Sequence, residues 1–231
     1  MIIFDNVSKA FPRPDGGKKI ILDRFTAAFR PGINIGILGR NGAGKTTLMN
    51  LISGGDMPDS GRILREGKIS WPLGFRGGVH GKLTGAQNTR FIADIYGKNR
   101  NKVLDFVADF SELGPYLDMP VRTYSAGMRA RLAFGICMAI EFEYYLIDEV
   151  IAVGDSAFKK KCKAVFEQRR ENATLLLVSH SSGLLRSFCD IGGVLHEGHL
   201  TFYNDIEEAI GVHEDLLRSS SQAHRRTEAH A

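Results

Sequence analysis

Apolar positions along this chain repeat with two different periods. Ile33-Asn-Ile-Gly-Ile-Leu38, Tyr144-Tyr-Leu-Ile147 and Ala173–Ser179 are short, nearly continuous apolar runs. That is the pattern of parallel strands buried on both faces. Residues 2–7 and 20–29 read as antiparallel strands separated by the turn-rich Pro12-Arg-Pro-Asp-Gly-Gly17, and Val194–Tyr203 reads as a hairpin turning at Glu197-Gly198. Elsewhere the spacing is helical. Leu48, Met49, Leu51 and Ile52 define a helix that Gly54-Gly55 can end. From about Trp71 to Tyr124 helices take over. Thr84-Gly-Ala-Gln87 has the form of a capping box, opening a helix with Phe91, Ile92, Ile95 and Tyr96 on one face. Val103, Leu104, Phe106, Val107 and Phe110 mark a second helix. A helix over about Ala126–Glu141 and another carrying Phe158, Cys162, Val165 and Phe166 complete the pattern. The expectation is an α/β core interrupted by a helical insertion.

Between the first buried strand and its helix lies Gly39-Arg-Asn-Gly-Ala-Gly-Lys45-Thr46-Thr47, a complete phosphate-binding loop. Its chemistry is mostly backbone. Successive amides turn inward to cradle phosphate oxygens, and glycine permits the dihedral angles and the close approach. The candidate nucleotide-binding residues are therefore Gly39, Arg40, Asn41, Gly42, Ala43, Gly44, Lys45, Thr46 and Thr47. Lys45 adds a charge between the β- and γ-phosphates, and the Thr46 hydroxyl is placed to ligate Mg²⁺. Strand, glycine loop, helix is the required order, because the positive helix end then faces the anion.

Tyr144-Tyr-Leu-Ile-Asp148-Glu149 is an apolar strand ending in two acids, at the sheet edge where α/β folds bind ligands. Alone, the pair reads as a polar turn. Behind a phosphate loop, Asp148 fits a role in holding Mg²⁺, and Glu149 fits orienting or deprotonating the attacking water. His180 ends the next apolar strand and is placed to hydrogen-bond the γ-phosphate. Tyr124-Ser125-Ala-Gly127-Met-Arg-Ala-Arg131 precedes a helix that Ser125 would cap. The Ser125 hydroxyl, the Gly127 amide and the helix end make a second phosphate site. One chain cannot easily bring both loops to one γ-phosphate, but two chains packed head to tail can.

Length and composition fit this picture. The chain has 231 residues, 43% of them hydrophobic, enough for one α/β domain with a small subdomain. A net charge of +4 is too small to argue for nucleic acid. Cys137, Cys162 and Cys189 make no CxxC pair, so reduced thiols are expected. The N-terminus has no basic region followed by an apolar stretch, and the longest apolar run, Leu132 to Ile140, is too short to span a bilayer. If the protein works at a membrane, another chain must cross it. The basic cluster Lys159-Lys-Lys161, Lys163, Arg169, Arg170 reads as a solvated helix face, with attraction to anionic lipid as the minority reading.

Taken together, these motifs resemble the ATP-binding subunits of ABC transporters over nearly the whole chain. Ile69-Ser-Trp-Pro-Leu-Gly-Phe75, Tyr124-Ser-Ala-Gly-Met128 and Asp148-Glu-Val-Ile-Ala-Val-Gly-Asp155 resemble in particular the subgroup that exports capsular polysaccharide. The resemblance implies a P-loop NTPase core of the ABC ATPase type over residues 1–217. It would carry an antiparallel β subdomain and a helical subdomain at about 75–140, with 218–231 a polar, disordered tail. It implies that Phe11 stacks on adenine and that Asp155 lies where two copies meet. It further implies ATP and Mg²⁺, a homodimer on the cytoplasmic face of a bacterial inner membrane, and separate permease subunits. One departure stands out. The wider superfamily carries a glutamine after the strand near residue 70, and Phe75-Arg-Gly-Gly-Val-His80 has none; Gln87 is better explained as a helix cap. Export of O-antigen or teichoic acid, a soluble ABC ATPase, and a P-loop kinase or GTPase are the alternatives. No long coiled-coil insertion or tandem second ATPase domain supports a DNA or translation role, and no nucleic-acid partner is expected.

Overall fold

The computed structural model describes residues 1–73, 79–148 and 156–228, with side chains to residue 219. The chain divides into two compact units, Met1–Gly67 with Thr174–Ala231, and Lys68–Ala173.

The first unit holds two sheets. β1 (Ile2–Pro12) lies between β2 (Lys18–Phe29) and β4 (Ser60–Arg65), antiparallel to both. Alternation along β1 buries Ile2 and Phe4 completely, and the register shifts before Val7, which is buried as well. The Phe4 ring packs against Phe25 and Phe29, with centroids at 5.4 and 5.6 Å. In the other sheet β3 (Ile35–Leu38) pairs in parallel with β6 (Thr174–Val178) and with β7 (Ile191–His196), and β7 pairs antiparallel with β8 (His199–Tyr203). Every residue of β3 and β6 is buried, as their continuous apolar runs require. The hairpin turns at Glu197 and Gly198, both at positive φ (47° and 83°), the pair that matches strand twist. Asn34, buried before β3, accepts from the Leu175 amide (2.9 Å) and donates to Asp190 Oδ2 (3.0 Å), pinning the strand starts together.

Three helices belong to this unit: α1 (Lys45–Ser53), α6 (Ser182–Phe188) and α7 (Ile206–Glu228). Gly54, at φ 81°, ends α1. β4, α6 and α7 lack counterparts in the sequence reading. α7 also corrects it: residues 218–228 continue a helix, where a disordered tail was expected. The segment starts among Asp205, Glu207 and Glu208, acids that favour a helix N-terminus.

The second unit contains α2 (Gly85–Ile95), α3 (Arg100–Ser111), short 3₁₀ turns at Gly114–Asp118 and Val121–Thr123, α4 (Ala126–Ala139), β5 (Tyr144–Asp148) and α5 (Ser156–Arg170). It extends beyond residues 75–140 at both ends. The capping box is present: Thr84 Oγ1 accepts from Gln87 N (3.0 Å), and Gln87 Oε1 accepts from Thr84 N (2.9 Å). Gln87 is thus a cap. Aromatic rings join α3, α4 and α5, with Phe134 at 5.3 Å from Phe110 and 5.1 Å from Phe166. The apolar face expected on α2 is only half used, because Ile92 is buried while Phe91 and Ile95 are 56% and 58% exposed. The basic face of α5 is also not simply solvated. Lys161 donates to the Asp109 carbonyl (2.7 Å) and to Glu112 (3.0 Å), and Arg169 donates to the Met138 carbonyl (2.6 Å).

Candidate functional site

The phosphate loop leaves the buried end of β3 and enters α1 at once. Gly44 is the N-cap of α1 in the left-handed region, φ 111°, where a Cβ would fall 2.5 Å from Ile21 Cγ2. A Cβ on Gly39 would fall 2.6 Å from the Leu195 carbonyl oxygen. Both positions therefore require glycine, one for its dihedral and its neighbour, the other for close approach to β7. The Lys45 side chain is buried, and its ammonium donates to the carbonyls of Gly39 (2.6 Å) and Arg40 (3.1 Å). Ala43 N donates back to the Arg40 carbonyl (3.0 Å), closing the turn. The loop is thus curled around a cation at the positive end of α1, an anion site by construction. Thr46 is exposed and Thr47 half-buried in the first turn of α1.

A cavity of about 370 Å³ opens over the loop, lined by Gly39, Arg40, Asn41, His180, His213 and Leu217. His180 enters from just beyond the end of β6, as the sequence predicts. His213 and Leu217 come from α7 and have no counterpart in the sequence reading. Burial first, then the Lys45 ammonium and His180, hold the His213 imidazole below its ordinary pKa.

Phe11 sits near the end of β1 and is 40% exposed. The Lys9 ammonium lies 5.2 Å from its ring centroid. Lys9 is itself held by Asp56 (2.9 Å) and the Met57 carbonyl (2.8 Å), with Asp59 at 3.6 Å. Across the β1–β2 ladder Phe11 faces Lys19, whose ammonium lies 3.3 Å from where a Cβ on Gly42 would be. Lys19 is therefore paired with Phe11 in the ladder while its ammonium lies beside the phosphate loop. Sequence reading missed both lysines, since neither belongs to a motif; only the strand register brings them in.

In the second unit, Ser125 caps α4, its hydroxyl accepting from Met128 N at 3.2 Å. A Cβ on Gly127 would meet nothing nearer than Ser125 Oγ at 3.9 Å, so the backbone there borders open space. Asp148 is the last residue of β5 and is half-exposed. Glu149 and Asp155 lie outside the described residues, as does Phe75.

The family model described as ABC transporter matches residues 22–152. The chain is 49% identical over 213 residues to the polysialic acid transport ATP-binding protein KpsT of Escherichia coli, covering 91% of this chain and 97% of that protein. It is 46% identical to the capsule polysaccharide export ATP-binding protein CtrD of Neisseria meningitidis serogroup B, covering 94% and 100%. The fold matches that of the ATP-binding cassette MJ0796, in a dimeric post-hydrolysis state bound to ADP and Pi, with a TM-score of 0.76 at 19% identity, over 88% of this chain and 98% of that one. A glycine loop wrapped around Lys45, a serine-capped α4 and relatives covering 91–94% of its length lead to one conclusion: this chain belongs to the ABC transporter family.

Proposed function

We propose that this chain is the ATP-hydrolysing subunit of an exporter of capsular polysaccharide, working as a homodimer with separate permease subunits at the cytoplasmic face of the inner membrane. The observation that carries the chemistry is the curled loop, with Lys45 donating to Gly39 and Arg40 at the start of α1. Support for the cargo is the near-complete length shared with the capsule-export ATP-binding proteins. Among the described residues no helix is long and apolar enough to cross a membrane.

In this reading the loop amides and Lys45 hold the β- and γ-phosphates of ATP, and Phe11 stacks on its adenine. Ser125 and Gly127 of a second copy close on the same γ-phosphate, with Asp155 at the surface where the copies meet. The Thr46 hydroxyl and the Asp148 carboxylate are hard oxygen donors on accessible ends of α1 and β5, the donor chemistry Mg²⁺ takes. Mg²⁺ bound with ATP would offset the charge of the phosphates. Glu149 takes the proton of the attacking water, and His180 donates to the γ-phosphate. Catalysis by these groups is positioning and charge stabilisation rather than covalent chemistry.

The test is a chromosomal deletion complemented with the native gene or with Lys45→Ala. The native gene should restore surface polysaccharide, and the variant should leave polymer trapped inside the cell. Normal surface polysaccharide in the deletion strain would refute the cargo. Trapped polymer of wall or O-antigen composition would redirect it.

A further inference from the structure

The C-terminal helix reaches the phosphate loop, and the way it is seated explains how. A Cβ on Gly192 would fall 2.1 Å from Ala209 Cβ, and one on Gly36 would fall 2.8 Å from Ile206 Cδ1. Glycine in β3 and in β7 lets α7 lie directly on the sheet, with Ala209 and Ile210 buried. From Ile206 to His213 the helix rises about 10 Å. From Gly36 to Gly39 the strand advances about 10 Å as well. The two lengths match, and His213 stands beside the loop as a wall of the same cavity.

Ile206, Ala209, Ile210, His213 and Leu217 share one helix face by their spacing. That face is apolar where it covers the sheet and turns to an imidazole where it meets the loop. His213 and Leu217 then line the cavity together with Gly39, Arg40, Asn41 and His180. A packing role would be served as well by leucine, and a packing residue would fill the core rather than line an opening. The Lys45 ammonium is close enough to lower the pKa of His213. His213 thus shares one cavity with His180 and with Gly39, Arg40 and Asn41 of the phosphate loop. Kept neutral at pH 7, it has one ring N–H to donate.

We propose that His213 is a second histidine of the nucleotide site, donating a ring N–H to the terminal phosphate of ATP beside His180. This rests on the ATP-binding reading above. ADP has no γ-phosphate, so the contact distinguishes triphosphate from diphosphate.

The experiment measures binding of AMP-PNP and of ADP, each with Mg²⁺, to the full-length chain and four variants. His213→Ala should weaken AMP-PNP about tenfold and ADP by less than about twofold, the loss expected of one hydrogen bond to a charged group. His213→Gln, which keeps an N–H donor, should recover most of the difference. Glu208→Ala, on the exposed face of α7, should match the parent. Equal losses for both nucleotides, or undiminished AMP-PNP affinity, overturn the proposal. In the unmodified chain the ¹⁵N resonances of the His213 ring should shift with AMP-PNP and not with ADP; unmoved resonances overturn it even if the alanine variant cannot fold. Lys45→Ala separates the two ideas. Unchanged affinity for both nucleotides in that variant would defeat the ATP reading itself.

Discussion

The Tyr124 hydroxyl donates to the Tyr116 backbone carbonyl at 2.5 Å, while the Tyr124 carbonyl accepts from the Arg129 guanidinium at 2.5 Å. The residue before Ser125 is thus held at both ends, one to the 3₁₀ turn at Gly114–Asp118 and one to α4. Gly85, the first residue of α2, packs on the same hydroxyl; a Cβ there would fall 2.6 Å from Tyr124 Oη and 3.2 Å from the Leu117 carbonyl. The turn that presents Ser125 and Gly127 is positioned by this knot rather than by its own sequence.

Tyr124 is 3% exposed, so Tyr124→Phe leaves the Tyr116 carbonyl without that donor where water has little access. The expected loss is about 1–3 kcal/mol of stability, read from denaturant unfolding at unchanged m. Gly85→Ala should cost a comparable amount through overpacking. If Ser125 acts across a dimer, both variants should lose turnover while each monomer still binds ATP. A variant with native stability and native turnover would show that the knot positions nothing.

Gly44→Ala tests the loop by another route. The left-handed backbone costs a non-glycine residue about 1–2 kcal/mol. The added methyl must also displace Ile21, 2.5 Å away. β2 would have to move for the loop to keep its shape. Nucleotide binding should fall below detection by calorimetry while the far-ultraviolet circular dichroism stays native. Binding at the parent's affinity would mean that the loop tolerates a side chain at its helix junction.

The parts of this fold read most clearly from sequence are those whose physics is local. β3 and β6 are continuous apolar runs because both faces are covered, and the Thr84–Gln87 box is a contact between residues three apart. The loop reads at sight because its glycines are required by dihedral and by clearance. What was missed depends on distant pairing. Lys9 matters through Asp56 and Met57, and Lys19 through Gly42. α7 carried a legible stripe, Ile206, Ala209, Ile210, Leu217, but its short apolar positions are scattered among polar residues and the segment lies past the last motif. Phe91 and Ile95 show the opposite failure: an apolar face by spacing that the unit itself leaves exposed.

Glu149→Gln removes the proposed base and keeps the shape of the side chain. ATP should still bind, and the closed dimer should accumulate in gel filtration with ATP and Mg²⁺. Turnover should fall by about a hundredfold or more, as expected on loss of a general base. Hydrolysis at the parent's rate would move that role to another residue.

The thiols should be inert while the chain is folded. Burial pushes Cys162 up to about 12 and Cys137 higher still, so neither is a thiolate at neutral pH. Cys189 is 6% exposed. A disulfide-exchange reagent at pH 8 should label the native chain slowly, at a rate set by opening of the fold. Three thiols should react at once in denaturant. Rapid stoichiometric labelling of the native chain would mean that α4 or α5 opens far more readily than its packing implies.

The Lys9–Asp56 pair gives the acid limb of the stability curve a defined sign. The hydrogen bond from Lys9 holds the Asp56 carboxyl below its ordinary 3.8. The unfolded chain therefore binds the proton more readily than the folded one. The contribution is complete above about pH 4 and disappears as pH falls through the lower folded value. With the Asp56 side chain 31% exposed, solvent screens the pair, so the effect is modest. The stability difference between the parent chain and Asp56→Asn should shrink as urea unfolding is repeated from about pH 6 down to about pH 3. Because Lys9 also lies over Phe11, the same variant should weaken ATP through the adenine end and leave free triphosphate binding unchanged. A difference that stays constant with pH would assign Asp56 a role unrelated to its charge.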